Sequence, residues 1–274
     1  MRIISDYHSQ MFTKNPEETL YSETLRMLND FQLDRIQAAY CLIANGLVWD
    51  AEVIIRVVYE TFAKVVFLAT ASAEQRQELL HEYWELLGTV YDRQAALKAA
   101  PCERLFYRSG SYGSSRVMAA LRDKRFYKTD PLENKGFRKE LEKRWSFSGI
   151  LEALNSGRHG TISLSGIEVF AHNYSMSSHV AHANSKALDL LEDRAIRGSD
   201  LVPLEVGHIC RMLSDIVSMT SFGLFLSERS WAGGEKMPAP LAAAITAMTE
   251  SIEPFVTEFE VSQEDFYSNW SLKE

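Results

Sequence analysis

The sequence has few cysteines and lacks a long uncharged apolar run. Cys41, Cys102 and Cys210 are far apart in the 274-residue chain and form no CxxC pair. This usage suits a reducing compartment and argues against a zinc module. No stretch approaches the roughly 20 uncharged apolar residues of a membrane span, and the N-terminus has no apolar segment of signal length. We expect a soluble cytoplasmic protein without a membrane segment, a cofactor or a metal.

The sequence also lacks strand-like alternation of useful length, tandem repeats and low-complexity tracts. Apolar residues instead recur at helical spacing along most of the chain. A chain of this length can bury a sizeable core without disulfides. We therefore predict one all-α domain over residues 1–274, a multi-helix bundle with core helices at about 15–100 and 165–230, a basic insertion at 101–160 and a C-terminal helical segment at 238–270.

Local signals predict where the helices begin and end. The segment Asn15-Pro16-Glu17-Glu18 reads as a helix start, and Asn45-Gly46 as its end. The next helix, from Trp49 to about Ala71, is apolar nearly all round and should be the most buried. A capping-box pattern at Ser72 predicts a helix that ends before Pro101. Further helices are expected at about 114–125, 134–146, 148–155, 203–230 and 241–255.

Charge is distributed unevenly along the chain. The net charge is −8, but residues 101–160 carry 13 basic and 7 acidic side chains, interleaved with aromatic residues. Basic side chains suit phosphates, and aromatic rings stack on unpaired bases. This segment is a candidate nucleic-acid contact, although about half of its aromatic residues could be core residues. The candidates are Tyr112, Arg116, Arg122, Lys124, Arg125 and Tyr127.

Four charges interrupt the apolar Trp49–Ala71 helix at successive four-residue steps: Glu52, Arg56, Glu60 and Lys64. One interpretation is an ion-pair ladder that faces solvent. The other is that Arg56 and Glu60 point into a polar cleft, where a buried arginine needs a partner.

The richest concentration of titratable side chains lies in Phe170–Leu191, which holds His172, His179 and His182. Helical spacing places Tyr174, Ser178 and His182 on one side. Such a stripe can form hydrogen bonds inside a core as easily as it can catalyse. Serine hydrolysis is disfavoured because no nucleophile elbow is present, and metal binding because the histidine spacing is awkward. RNA cleavage needs no metal: His179 and His182 could act as base and acid, and Arg56 could neutralise the phosphorane.

The string Tyr174-Ser175-x-x-Ser178-x-x-x-His182, together with Arg56-x-x-x-Glu60, resembles an uncharacterised bacterial all-α family. That family is catalogued as a domain of unknown function and is related to HEPN and abortive-infection proteins. The resemblance covers about residues 20–190. It implies a helical bundle in which Arg56, Glu60, Tyr174, Ser178 and His182 converge between two helices, and a homodimer.

The chain also contains one R-x4-H string, Arg76 to His81, of the kind that serves as the HEPN ribonuclease motif. It lies on a different helix from the histidine cluster, and chance alone yields about one such string in this composition. We expect a surface Arg and His there.

These patterns favour a cytosolic helical effector of toxin, stress or defence type that acts on or senses RNA or nucleotides, in its catalytic form a metal-independent ribonuclease. The alternative is a non-catalytic helical dimer that serves as an interaction or sensor module. A small-molecule-binding bundle is a third interpretation, based on the many methionine and aromatic residues.

Overall fold

The computed structural model describes residues 1–14, 19–123, 134–157, 159–160, 167–196, 201–264 and 268. Within these ranges the chain is helical and forms no strand, so the predicted all-α bundle is confirmed there. The helices are α1 (Arg2–Thr13), α2 (Leu20–Ala44), α3 (Val48–Ala69), α4 (Ala73–His81), α5 (Leu87–Arg108), α6 (Tyr112–Ala120), α7 (Lys135–Arg144), α8 (Phe147–Asn155), α9 (Glu168–Ala181), α10 (Ser185–Ile196), α11 (Leu201–Ala232) and α12 (Ala239–Ser262).

The chain divides into two compact units. The first comprises Met1–Thr70 and Leu154–Glu274, and the second Ala71–Ala153. The predicted basic insertion, 101–160, falls mostly in the second unit, which begins earlier in the chain.

Helix α3 is the core of the first unit. Ile55, Tyr59, Phe62, Phe67 and Leu68 have 1% or less of their surface exposed. Burial of such large side chains contributes roughly 1.5–3 kcal/mol each. The helix packs against α2, α9 and α11. The predicted burial of the Trp49–Ala71 segment is therefore confirmed.

Helix α2 begins at Leu20. Thr19 is its N-cap, and Thr19 and Ser22 form a reciprocal capping box. The predicted start at Asn15-Pro16-Glu17-Glu18 lies outside the described residues. The helix ends at Asn45 as predicted, with Gly46 at a φ of 75°.

Pro101 does not end its helix, contrary to expectation. The helix predicted to stop before Pro101 passes through a π-helical turn at Glu82–Leu86 and then continues as α5 to Arg108. Pro101 is exposed, and Leu97, whose carbonyl loses its intrahelical bond, is 65% exposed. Water can satisfy that carbonyl, so the break is tolerated. Helix α12 also contains an exposed proline, Pro254, and it extends to Ser262, beyond the predicted end at about Phe255.

The histidine-rich stretch is two helices. His182 is the C-cap of α9, Ala183 has a φ of 44°, and the Asn184 side chain accepts a hydrogen bond from the Ala187 amide to begin α10. An asparagine that caps the next helix stabilises such a break. Asp189 therefore lies on α10, on a different helix from His182, and the two do not share one helical stripe.

Among the described residues, α11 is the helix with the length and composition to cross a membrane, with a mean hydropathy of 1.4 over its most apolar window. In the structure 56% of that window is buried inside the protein. A helix in the core of a protein can have the same length and mean hydropathy.

Candidate functional site

The polar side chains of α3 do not form a uniform ladder in solvent. Glu52 has no exposed surface, whereas the side chains of Arg56 and Glu60 are 25% and 32% exposed. Burial lowers the pKa of Lys64, the fourth charge in the series. The interpretation of these charges as a solvent-facing ion-pair ladder is therefore wrong for Glu52. Arg56 and Glu60 are partly buried and partly exposed to solvent.

Glu52 accepts hydrogen bonds from two other helices. Ser177 on α9 donates its hydroxyl to Oε1, and Arg211 Nη2 on α11 lies 2.6 Å from Oε2. His208 Nε2, one turn earlier on α11, lies 3.1 Å from the same oxygen. The His208 ring also packs on Trp49, with ring centroids 4.9 Å apart. A buried carboxylate is tolerated because a cation and hydrogen-bond donors surround it.

A second carboxylate, Asp215, lies one turn beyond Arg211 on α11. Its Oδ2 accepts hydrogen bonds from Tyr59 at 2.5 Å, from Arg211 Nη1 at 2.9 Å and from Asn173 Nδ2 at 3.1 Å. Arg211 thus bridges the two carboxylates, and it also donates to the Tyr59 hydroxyl at 3.2 Å. We call the seven residues the buried network: Glu52, Tyr59, Asn173, Ser177, His208, Arg211 and Asp215.

The two carboxylates of the buried network have opposite pKa shifts. Burial alone would raise the pKa of Glu52, but contacts with His208, Arg211 and Ser177 outweigh it and hold that pKa below its usual value. At Asp215 burial dominates over the contacts with Tyr59 and Arg211, so its pKa is raised. Environments that push the pKa values of neighbouring acids apart are typical of acid–base sites, although structural ion-pair networks also produce them.

A second group, Arg56, Glu60 and Tyr174, lies on α3 and α9. Arg56 Nη2 donates to the Tyr174 hydroxyl at 3.0 Å and lies 3.0 Å from Glu60 Oε1. The Tyr174 hydroxyl donates to Glu60 Oε1 at 2.9 Å, and the guanidinium carbon lies 5.3 Å from the centre of the tyrosine ring. We call these three residues the half-exposed triad. Burial and the bond to Glu60 raise the pKa of Tyr174, so its hydroxyl keeps its proton at neutral pH.

The register of α9 decides which of its residues reach α3. Phe170 packs edge-on against Phe62, with ring centroids 5.3 Å apart, and Asn173, Tyr174 and Ser177 follow at helical steps. The residue that bonds to Glu52 is thus Ser177, one position before the predicted Ser178. Successive side chains of a helix point roughly 100° apart, so a shift of one residue moves a side chain from the inward face to the side of the helix.

The structure brings together three of the six predicted catalytic residues: Arg56, Glu60 and Tyr174. Ser178 is partly buried, and in the described part of the chain its side chain does not contact these three residues. His179 Nδ1 lies 2.6 Å from Asn184 Nδ2 beside the α9–α10 break, and His182 is exposed at the end of α9. His172 is exposed as well. Among the described residues, Arg56 contacts Glu60 and Tyr174, and the predicted pairing of His179 and His182 with Arg56 is not seen.

The predicted nucleic-acid contacts are covered in part by the described residues. Tyr112 is 58% exposed and packs edge-on with Tyr107, and Arg116 is exposed. Arg122 is exposed and paired with Glu103. Lys124, Arg125 and Tyr127 lie outside the described residues. In the R-x4-H string, Arg76 is partly buried and His81 is exposed.

Sequence reasoning missed most of the buried network. One signal was present: His208, Arg211 and Asp215 recur at three- and four-residue steps in an otherwise apolar helix. Polar residues at such spacing share one helix face. Within the described residues, no group of three or more His, Cys, Asp or Glu side chains could hold a metal ion.

No protein-family model, curated protein or solved structure matches this chain. The interpretation of the site therefore rests on its geometry.

Proposed function

We propose that this chain is a HEPN-like cytoplasmic effector of toxin, stress or defence type that binds the phosphate groups of RNA or nucleotides at the face of α3 that carries Arg56. The observation that supports the proposal concerns two guanidinium groups. The Nε atoms of Arg56 and Arg211 are buried, and neither forms a hydrogen bond within the described part of the chain. A buried guanidinium N–H requires an acceptor. Phosphate oxygens are the acceptors that arginine suits best.

The two arginines belong to one region of the first unit. Arg211 bonds to Glu52 and Tyr59, which lie about one turn before and one turn after Arg56 on α3. The carboxylates of Glu52, Glu60 and Asp215 pair with the two guanidinium groups and fix their orientation. Two oriented guanidinium groups suit a phosphodiester better than a single point charge does.

In the catalytic form of the proposal, Asp215 replaces the histidines as the base. Its raised pKa makes it a stronger base than an ordinary aspartate, and its side chain is 15% exposed. It takes the proton of the RNA 2′-hydroxyl, whose oxygen bonds to phosphorus as the bond to the 5′-oxygen breaks. The arginines stabilise the phosphorane charge, and the departing oxygen takes a proton from solvent.

A non-catalytic helical module is the second candidate, and one observation favours it. Both oxygens of Glu52 and one oxygen of Asp215 are already engaged by partners inside the protein. A satisfied polar network can simply fix how helices pack.

Binding and cleavage of a labelled single-stranded RNA by the purified protein separate these candidates. We expect Arg56→Gln to weaken binding, whereas Arg35→Gln serves as the matched control because Arg35 lies over the Phe31 ring of α2 and belongs to neither the buried network nor the half-exposed triad. Asp215→Asn should bind RNA but not cleave it, and His182→Ala should do both. Unchanged binding by Arg56→Gln would refute the phosphate site. If the parent protein binds RNA without cleaving it, the catalytic form of the proposal is wrong and RNA sensing is the function that stays.

We also propose that the protein is a homodimer, as the HEPN resemblance implies. Sedimentation at micromolar concentration should then give about twice the 31.1 kDa mass of one chain. A mass of one chain would refute the dimer.

A further inference from the structure

A groove in the first unit lies between α1, α2 and α12. Its volume is about 1000 Å³, and Met1 and Ser5 line it from α1 and Met248 from α12. The remaining lining residues come from α2: Asp30, Leu33, Asp34, Gln37, Tyr40 and Cys41. A volume of this size is at the upper end of the range for small-molecule sites.

The α2 residues of the groove share one helix face. They recur at three- and four-residue steps, whereas Leu25, Asn29, Gln32, Ile36 and Ala39 form the buried face of the same helix. The groove is therefore built by a rigid element whose core face holds it in place. It is not formed by a loop.

The walls of the groove combine apolar surface with negative charge. Leu33, Tyr40 and Met248 supply apolar area, and burial raises the pKa of Tyr40 to about 12, so its phenol stays neutral. Asp30 is paired with Arg26 at 2.5 Å. Asp34 is exposed and has no ion-pair partner among the described residues. The groove thus offers an unneutralised carboxylate beside an apolar surface.

We propose that this groove binds a small organic cation with an apolar body. Leu33, Tyr40 and Met248 hold the body, and Asp34 attracts the charge, with Asp30 beside it. An anion of the same shape should bind more weakly because the Asp34 carboxylate repels it. The proposal is independent of the phosphate site, which lies on α3 and α11.

Two probes of equal shape and opposite charge test the charge preference directly. Tetraphenylphosphonium and tetraphenylborate have almost the same apolar surface, so only their charges differ. Titration calorimetry of the whole chain should show tighter binding of the cation than of the anion. Asp34→Asn should weaken cation binding roughly two- to fivefold, the range expected for an exposed charge pair. Equal affinity for both probes would overturn the proposal, as would no binding of the cation.

Two tryptophan substitutions test the location. Ser5→Trp places an indole in the groove and should abolish cation binding. Ser9→Trp, one turn further along α1 at an exposed position that does not line the groove, is the matched control. Equal losses from both variants would overturn the assignment to this groove.

The cysteines provide a test that needs no substitution. Cys41 lines the groove, whereas Cys102 is also exposed but lies in the second unit. Bound tetraphenylphosphonium should slow alkylation of Cys41 and leave the rate at Cys102 unchanged, as measured by peptide mass spectrometry. Equal rates at Cys41 with and without the cation would count against the groove even where calorimetry shows binding.

Discussion

Arg211 Nη2 on α11 lies 2.6 Å from Oε2 of Glu52, a carboxylate of α3 with no exposed surface. The two residues are 159 positions apart in the chain. Their contact joins the beginning and the later part of the sequence within the first unit, and Ser177 brings α9 to the same carboxylate. Four experiments follow from this arrangement and from the packing around it.

Removal of the Glu52 carboxylate should destabilise the fold strongly. Loss of one partner of a buried pair costs roughly 3–5 kcal/mol. Because Arg211 keeps Asp215, we expect Glu52→Ala to lower the free energy of unfolding by about 3 kcal/mol, the lower end of that range. Urea denaturation measures the change. Asp50→Ala, on the same helix but exposed, should cost below about 1 kcal/mol. A Glu52→Ala variant as stable as the Asp50→Ala control would contradict the role of the pair.

The two carboxylates of the buried network should respond to pH in opposite directions. The pKa of Glu52 is lowered by folding, so its contribution to stability is present above the unfolded value of about 4.3 and is lost as the pH falls further. The pKa of Asp215 is raised, so its contribution is present below about 3.9 and is lost as the pH rises through the folded value.

This difference can be measured with two isosteric variants. The stability of the parent relative to Glu52→Gln should be greatest at neutral pH and shrink in acid. Relative to Asp215→Asn it should be greatest in acid and shrink toward neutral pH. Urea denaturation at a series of pH values from 3 to 7 provides both curves, and parallel curves for the two variants would contradict the assigned shifts.

Arg56→Ala should cost more than a surface ion pair but less than a fully buried one. The substitution removes the bond to Tyr174, the contact with Glu60 and the packing on the tyrosine ring. Since both charged side chains are partly exposed, we expect a loss of about 1–2 kcal/mol, below the roughly 3–5 kcal/mol of a dry pair. Arg116→Ala, exposed on α6, should stay within about 0.5 kcal/mol of the parent. Thermal denaturation that ranks the two variants equally would contradict the triad.

Gly207 allows α11 and α12 to approach closely. A Cβ atom at this position would lie 2.6 Å from the Phe259 ring. Gly207→Ala should therefore destabilise the parent by roughly 1–3 kcal/mol, because overpacking outweighs the gain of about 1 kcal/mol in helix propensity. In a Phe259→Ala background the clash is absent, and the same substitution should stabilise by up to about 1 kcal/mol. A double-mutant cycle measures this change of sign, and the same effect in both backgrounds would refute the close approach.

The helical character of the chain could be predicted because it depends on local spacing. Apolar residues at helical steps and the cap at Ser72 are properties of neighbouring positions, and the structure has helices in those places. The same reasoning wrongly ended a helix before Pro101. A proline forbids only one backbone bond, and whether the freed carbonyl is satisfied depends on its exposure, which is a tertiary property.

The sequence by itself determined that α3 is the central helix, because a segment that is apolar nearly all round can only be stable when neighbours cover it on every side. The sequence also identified Arg56, Glu60 and Tyr174 as candidate site residues. Only the tertiary structure decided that Ser177 rather than Ser178 meets Glu52, and that Arg211 and Asp215 complete the group. The reason is physical: a helix turns roughly 100° per residue, so its inward face depends on how Phe170 packs against Phe62, and that contact joins residues more than a hundred positions apart.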